Sequence, residues 1–285
     1  MRFFIVDCFA EQKYQGNELL AIIADRPVSD AEQQQIAREI NFSETVFIVP
    51  KVQSDGGYAA RIWTPNVGEV PFAGHPTLGA AYVIHRLLEE GEGDEVRLDL
   101  KAGQIPVRVT ESGLMMSQNP PTFGATVSAE EIAKVFGVDV ASMAKDCPVQ
   151  WVSTGLPAVI IPLLDRESLA QAKHDREAFA DYVRRHPENN CNHLFFVREG
   201  DCTIDARCLM EDFVEDPATG SANGCLAAYL LEHDCFGHQD ISYTVRQGED
   251  MGRPSILRVH ASHKGGEWTI EVGGSCHIVA SGDWD

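Results

Sequence analysis

The sequence predicts an α+β protein made of two similar halves, each a curved sheet wrapped around one central helix. Three observations lead to this prediction: an internal repeat runs along the chain, each copy contains a helix that is apolar on all sides, and the strands are not regularly separated by helices. A chain of 285 residues is long for one compact domain and comfortable for two. The hydrophobic fraction of 44% is typical of globular cores.

The repeat relates the two halves at a steady offset of about 145 residues. Residues 154–161 (TGLPAVII) resemble residues 16–23 (GNELLAII), and residues 227–231 (AAYLL) resemble residues 80–84 (AAYVI). Each match is weak by itself, but offsets that stay near this value along the chain are difficult to obtain by chance. It indicates two copies of one α/β unit, related by a pseudo-twofold axis.

Each copy contains a helix with apolar residues almost all round. These residues are Leu78, Ala80, Ala81, Tyr82, Val83, Ile84, Leu87 and Leu88 in the first copy, and Leu226, Ala227, Ala228, Tyr229, Leu230 and Leu231 in the second. A helix that is apolar on every face is a buried helix. Many short strands around one buried helix favour a curved sheet over a parallel βαβ array, in which helices alternate regularly with strands.

The first half follows from hydrophobic periodicity and helix caps. Its predicted elements, in chain order, are strands at 3–6 and 19–23, a helix capped by the box Ser29–Glu32, strands at 45–49 and 58–63, the central helix from the segment 72–79 to about Leu88, a hairpin of 96–100 with 105–109, and a strand at 114–117. The run Asn119-Pro120-Pro121 then interrupts the pattern. We therefore expect a first domain over residues 1–118 and a second over residues 119–276.

The second half repeats this order. Its predicted elements are a short helix capped at Ser128 and ended by Gly137, a strand near 157–161, a helix at 175–185, a strand at 191–197, the central helix after Gly220, and a hairpin within 243–259.

The composition of the chain limits the classes of partner that it can bind. The net charge of −20 disfavours nucleic acid and anionic membranes, since both need a basic face, but it permits a small anionic substrate. No apolar run approaches the roughly 18 residues of a membrane span, and the first residues read as a strand and not as a signal peptide. The 8 cysteines show no CxxC pairing, which predicts reduced, mostly buried thiols in a cytoplasmic protein.

Two glycine-containing segments at the starts of the central helices are candidates for a binding site. They are residues 215–224 (EDPATGSANG) and residues 72–79 (FAGHPTLG). Asp is favoured as an N-cap and Pro at the first helical position, so we expect the second helix to begin at Asp216 and Pro217. The free N–H groups of such helix starts can bind an anion. We hypothesise that the two starts face each other across one active site.

The residues expected to bind a substrate carboxylate lie at these two helix starts. They are Gly74, Pro76 and Thr77 at the first, and Thr219, Gly220, Ser221 and Ala222 at the second. Small residues bring a ligand close to the backbone, and Thr219 and Ser221 add hydroxyl groups beside it.

Three titratable residues are candidates for catalysis, and each also has a structural interpretation. Asp216 is either a functional acid or only a helix cap. Glu44 is either a solvated loop residue or a partly desolvated acid, because flanking residues such as Phe42 and Val46 are apolar, and desolvation raises a carboxyl pKa toward neutral pH. His75 is either structural or a proton relay, since a helix N-terminus disfavours the charged imidazolium.

The sequence lacks the motifs that are typical of several other functions. The chain has no P-loop, no GxGxxG after a strand and no GxSxG, which argues against nucleotide binding and serine hydrolysis. The histidines form no HExxH or other strong ligand pattern, so we predict no metal site.

Four motifs in order resemble one family over nearly the whole chain. They are residues 41–47 (NFSETVF), 72–79 (FAGHPTLG), 215–222 (EDPATGSA) and 246–255 (RQGEDMGRPS), and together they resemble the phenazine-biosynthesis PhzF-like proteins. The resemblance implies a diaminopimelate epimerase-like fold, with two pseudo-symmetric halves, a barrel-like mixed sheet around a central helix in each, and the active site between them. It also implies that a last strand, at about 277–285, joins the first domain.

The resemblance also implies a reaction. In that family the glutamate of the first motif is the catalytic acid/base, which falls on Glu44, while a histidine and an aspartate that fall on His75 and Asp216 assist. The serine of the third motif falls on Ser221. The type reaction is the isomerisation of trans-2,3-dihydro-3-hydroxyanthranilate, in which a proton moves between ring carbons without a cofactor or metal. A homodimer is implied as well.

Two further readings stay open. Related epimerases use one cysteine at each helix start, but the first such position is Ala73 here and residues 216–221 contain no cysteine, so a racemase would need carboxylates instead of thiols. A non-catalytic small-molecule binding protein could keep the same fold. The chain also has Glu18 after Asn17, where the family usually has proline, which affects the expected substrate and not the fold.

Overall fold

A computed structural model of the chain describes residues 1–200 and 202–285. They divide into two compact units. Unit 1 consists of Met1–Ser117 together with Gly273–Asp285, and unit 2 is Gln118–Val272. Helices and strands are mixed within each unit, so the protein is of the α+β class with a large mixed sheet.

The elements are numbered here in chain order. The first are β1 (Arg2–Cys8), β2 (Asn17–Ile23), α1 (Asp30–Ile40), β3 (Thr45–Val52), β4 (Tyr58–Thr64), β5 (Gly68–Val70), α2 (Gly74–Leu87), β6 (Glu95–Leu100), β7 (Gly103–Thr110) and β8 (Gly113–Ser117). The next are β9 (Thr122–Thr126), α3 (Ala129–Phe136), β10 (Gln150–Ser153), β11 (Pro157–Pro162), α4 (Arg166–Gln171), α5 (Arg176–Arg185), β12 (Asn192–Arg198), β13 (Thr203–Leu209) and β14 (Glu215–Asp216). The last are α6 (Gly220–Glu232), β15 (Asp240–Gln247), β16 (Ser255–Lys264), β17 (Glu267–Gly274) and β18 (Cys276–Asp283).

The same pattern of strand pairing occurs in both units. In unit 1, β2 pairs parallel with β3, β3 antiparallel with β4, β4 antiparallel with β5 and parallel with β6, and β6 antiparallel with β7. In unit 2, β11, β12, β13, β14, β15 and β16 repeat these pairings in the same order. In unit 1 the last strand, β18, also lies antiparallel to β1, with Cys276 opposite Cys8.

The central helix of each unit is buried, as its apolar pattern predicts. Every residue of α6 from Gly220 to Leu231 is buried, and α2 is buried continuously from Gly74 to Ala81. Contact with the sheet leaves no room for side chains at some positions. A Cβ on Gly79 would lie 2.5 Å from Cδ2 of Leu19 and 2.8 Å from Sγ of Cys8, so α2 rests directly on β2 and β1.

The predicted helix caps are confirmed for the peripheral helices. Ser29 accepts a hydrogen bond from the Glu32 N–H at 3.2 Å, and Ser128 accepts one from the Glu131 N–H at 3.2 Å. Gly137 ends α3 in the left-handed conformation, where glycine has no steric penalty.

The predicted start of α6 was wrong by several residues. Asp216 belongs to the short strand β14, opposite Cys208, and the helix begins at Gly220 with Thr219 at the N-cap and no side-chain cap. Asp216 is therefore not a helix cap, and Pro217 is not the first helical residue. The local signal failed because pairing of β14 with β13 keeps the chain extended through Asp216.

No helix of the described residues is long and apolar enough to span a membrane.

Candidate active site

The first cluster of candidate residues lies in unit 1, where Glu44 and His75 are in contact. Glu44 directly precedes β3, and His75 is the second residue of α2. Oε2 of Glu44 and Nε2 of His75 are 3.4 Å apart, and the side chains are only 17% and 7% exposed. Two residues that are 31 positions apart in the sequence thus form one nearly dry pair.

The protonation state of His75 follows from its surroundings. Burial lowers the pKa of His75 to about 3, while a hydrogen bond with the backbone of Glu18 acts in the opposite direction and is weaker. The ring is therefore neutral at physiological pH. Nε2 has no hydrogen-bond partner in the described part of the chain, so we assign the bond with Glu18 to Nδ1–H.

This tautomer sets what the pair can do. With the proton on Nδ1, Nε2 carries a lone pair that faces Oε2 of Glu44. A lone pair can accept a hydrogen bond from a carboxylic acid, so Nε2 can accept the proton of Glu44 in a hydrogen bond when that carboxyl group is protonated. The separation of 3.4 Å exceeds the roughly 2.7 Å typical of hydrogen bonds donated by O–H, so a small movement of either side chain would complete the bond.

The first helix start offers fewer donors than the sequence indicates. Thr77 is fully buried, and its N–H and its hydroxyl both donate to the carbonyl of Ala73, at 3.2 and 2.7 Å. Pro76 has no N–H group. Of the residues expected to bind substrate here, Gly74 is the one whose N–H precedes the intrahelical bonds of α2.

The second cluster lies in unit 2 and is centred on Asp216, which is 8% exposed. The Thr219 hydroxyl donates a hydrogen bond of 2.6 Å to Oδ2 of Asp216. Gln247 Nε2 in turn donates to the Thr219 hydroxyl at 3.0 Å and to the backbone carbonyl of Asp216 at 2.8 Å. Both the side chain and the backbone of Asp216 are therefore fixed by hydrogen bonds.

Asn223 completes this network from the first turn of α6. Its Nδ2 donates to Oε1 of Gln247 and to the carbonyl of Thr219, both at 3.0 Å. Sequence reasoning missed Asn223 and Gln247 as site residues, although Gln247 lies in the motif 246–255 and Asn223 in the segment 215–224. The side chains of Asn223 and Gln247 are 0% and 1% exposed, and buried amide groups need hydrogen-bond partners. The sequence alone does not reveal that these two side chains are buried.

The start of α6 is suited to an anion. The first intrahelical bond runs from the N–H of Asn223 to the carbonyl of Thr219, at 3.1 Å, so the N–H groups of Gly220, Ser221 and Ala222 precede it. The first turn contains no acidic residue that would repel an anion.

Over residues 1–200 and 202–285, no group of three or more His, Cys, Asp or Glu side chains is arranged to hold a metal ion.

Comparison with known families and proteins found matches over nearly the whole chain. The family model described as phenazine biosynthesis-like protein matches residues 6–282. An uncharacterised isomerase of Clostridium acetobutylicum is 30% identical over 89% of this chain and 87% of its own length. The trans-2,3-dihydro-3-hydroxyanthranilate isomerase of Pseudomonas chlororaphis is 31% identical over 96% of this chain and 95% of its own length.

Solved structures share the fold. The phenazine biosynthesis protein of the PhzF family from Bacillus anthracis superposes with a TM-score of 0.87 at 24% identity, covering 99% of this chain and 97% of that one. A hydroxyproline epimerase from Agrobacterium vitis gives a TM-score of 0.63 at 12% identity, covering 99% and 90%. The same fold therefore extends to that epimerase.

Proposed function

Because this chain belongs to the phenazine biosynthesis-like (PhzF) family and is an isomerase, we propose that it moves a proton between two carbon atoms of a small carboxylate substrate, without a cofactor. The contact of 3.4 Å between Glu44 and His75 is the observation that carries the proposal. It gives one carboxyl group a largely buried position and a partner that can accept a hydrogen bond from its protonated form.

Glu44 is the acid/base in this proposal. Its carboxylate removes a proton from one carbon of the substrate and becomes a carboxylic acid. The lone pair on Nε2 of the neutral His75 then accepts a hydrogen bond from that acid, which makes the proton transfer less unfavourable. Glu44 returns the proton to a second carbon, and the cycle ends with no net change in the enzyme.

The second cluster provides binding and orientation. The N–H groups of Gly220, Ser221 and Ala222 hold the substrate carboxylate, as helix N-termini do for anions. Asp216, held by Thr219, assists as the second catalytic carboxyl group. Gly74 contributes an N–H group to binding, whereas Pro76 and Thr77 shape the helix start.

The name of one relative supports the proposed substrate class. The name of the Pseudomonas chlororaphis relative specifies trans-2,3-dihydro-3-hydroxyanthranilate, a ring that carries a carboxylate and has more than one carbon able to exchange a proton. We propose a small cyclic carboxylate of this kind for this chain. The proposal also includes two pseudo-symmetric diaminopimelate epimerase-like halves, which the repeated strand pairing supports. It further includes a homodimeric assembly and a cytoplasmic location.

The decisive experiment measures deuterium transfer from D₂O into trans-2,3-dihydro-3-hydroxyanthranilate or its product. We expect Glu44→Gln to keep the fold and to lose deuterium incorporation by at least about 100-fold, the usual scale of acid/base catalysis. Glu39→Gln removes an exposed carboxylate of α1 and serves as the matched control with unchanged exchange. Full exchange in Glu44→Gln would refute the role of Glu44. Absence of exchange in the wild type would reject this compound as the substrate.

A racemase that uses carboxylates is the second candidate, favoured by the fold shared with the hydroxyproline epimerase. The described thiols near the start of α6 are poorly suited to a thiol mechanism. Burial raises the pKa of Cys225, in the second turn of α6, to about 11, and burial together with Asp216 raises the pKa of Cys208 well above its ordinary value. Chiral analysis of the product separates a racemase from an isomerase that relocates a double bond.

A further inference from the structure

Two cysteines of unit 2 that have no place in the proposed mechanism lie almost within bonding distance. The Sγ atoms of Cys147 and Cys235 are 2.8 Å apart, although the residues are separated by 88 positions in the sequence. Both are free thiols. This separation is shorter than an ordinary contact between two sulfur atoms, and a disulfide requires it to shorten to about 2.05 Å. Little movement therefore separates the dithiol from a disulfide.

The backbone around the two thiols is held in place by other bonds. Cys147 precedes β10, and Cys235 follows the end of α6. The Tyr229 hydroxyl of α6 donates to the carbonyl of Pro148 at 2.6 Å. The Arg198 guanidinium donates to Oδ2 of Asp146 at 2.7 Å and also to the carbonyl of Cys235. These bonds connect the same two segments, so the closeness of the thiols does not depend on a thiol contact alone.

A cavity gives small molecules a route to the pair. It has a volume of about 550 Å³ and is lined by both cysteines together with apolar and charged side chains, among them Leu163, Phe196, Arg198 and Phe236. Cys235 is half-buried and Cys147 is 7% exposed, so both sulfur atoms are close to the cavity without facing open solvent.

We propose that Cys147 and Cys235 form a reversible disulfide by exchange with a low-molecular-weight disulfide that enters this cavity. In the first step, one protein thiolate attacks a sulfur of the small disulfide, forms a mixed disulfide and releases one small thiol. In the second step, the neighbouring protein thiolate displaces the other small thiol. Two protein S–H bonds and one S–S bond are thus converted into one protein S–S bond and two small thiols, and the small disulfide is the oxidant.

The disulfide would link the C-terminal end of α6 to the segment before β10. This site is different from the proposed catalytic residues, since Cys235 lies beyond the opposite end of the helix from Ser221. Burial raises the pKa of Cys235, and Arg198 partly offsets this effect. Because the thiolate is the reacting form, the exchange should become faster as the pH rises.

The test uses the folded, full-length protein with glutathione disulfide at about pH 8.5, where thiolates are better populated. We expect Cys202→Ser, which lacks the exposed thiol, to lose two of its free thiols and about 2 Da in mass, corresponding to two hydrogen atoms, with peptide mapping that links Cys147 to Cys235. Dithiothreitol should restore both thiols. Cys147→Ser and Cys235→Ser should each abolish the internal disulfide and accumulate glutathione on the remaining partner.

In the wild type, Cys202, the exposed cysteine among the described residues, should in addition carry glutathione without taking part in the link. Modification confined to Cys202 in the wild type would overturn the proposal. A link between Cys8 and Cys276 in place of the one between Cys147 and Cys235 would overturn it as well, because these two cysteines face each other across β1 and β18.

Discussion

Nε2 of His75 lies 3.4 Å from Oε2 of Glu44, and neither side chain is more than 17% exposed. Because burial holds the pKa of His75 at about 3, the imidazole accepts hydrogen bonds at Nε2 over the whole physiological pH range and does not act as a cation. Proton transfer in the proposed reaction therefore depends on one ionising carboxyl group and on a neutral acceptor beside it.

Replacement of His75 should change the rate of the reaction and not the shape of its pH profile. We expect His75→Leu to slow deuterium incorporation by about 100-fold, because the protonated form of Glu44 loses its acceptor. The profile of kcat/KM between pH 5 and 9 should keep its shape, since His75 does not titrate there. His238→Leu, an exposed replacement, is the control. Loss of a limb near pH 6.5 in His75→Leu would contradict the neutral assignment.

Gln247 should matter for both stability and catalysis. Gln247→Leu removes the donor to Thr219 and to the Asp216 carbonyl and leaves buried polar groups without partners, so we expect a loss of about 1–3 kcal/mol in the free energy of unfolding. Activity per folded molecule should also fall, because Asp216 loses its fixed orientation. Denaturant unfolding and the deuterium assay measure the two effects. Gln35→Leu, on the exposed side of α1, should change neither. Unaltered activity in folded Gln247→Leu would exclude an orienting role.

His193 should make the protein sensitive to acid. It is fully buried beside Phe136 and Phe179, with ring centroids at 4.8 and 5.5 Å, and burial lowers its pKa from 6.5 to about 3. Between these two pH values the unfolded chain binds a proton that the folded chain excludes. The contribution of His193 to the free energy of unfolding is therefore fully present above about pH 6.5 and is lost as the pH falls toward 3.

Between pH 7 and 5 we expect His193 to reduce the free energy of unfolding by about 2 kcal/mol. The reason is that pH 5 lies about 1.5 units below the pKa of histidine in the unfolded chain, and each unit corresponds to about 1.4 kcal/mol. His193→Leu should reduce the difference in unfolding free energy between pH 7 and 5 by this amount. His238→Leu should leave it unchanged. An equal pH dependence in His193→Leu and the wild type would show that His193 is not a source of acid sensitivity.

Local patterns predicted much of the fold, because they depend on neighbouring residues. The apolar pattern identified α2 and α6, and the caps at Ser29 and Ser128 identified the starts of α1 and α3. The start of α6 was misjudged because pairing of Asp216 with Cys208 is a tertiary effect that overrides the local preference of Asp and Pro.

The candidate site was predictable by residue type and not by geometry. Glu44, His75 and Asp216 were identified from motifs, but the sequence did not indicate that Glu44 contacts His75 or that Thr77 bonds to Ala73. The roles of Asn223 and Gln247 were missed, because a polar residue in a strand or helix reads as solvent-exposed until its buried partners are known.

The pairing of β18 with β1 has a consequence for biosynthesis. During translation, β1 is made well before its neighbour β18, since Cys8 and the opposite Cys276 are separated by 268 positions in the sequence. Unit 2 is continuous in sequence and can fold while synthesis proceeds, whereas unit 1 waits for its last strand. Until β18 has been made, one edge of β1 stays open to wrong pairing with another chain.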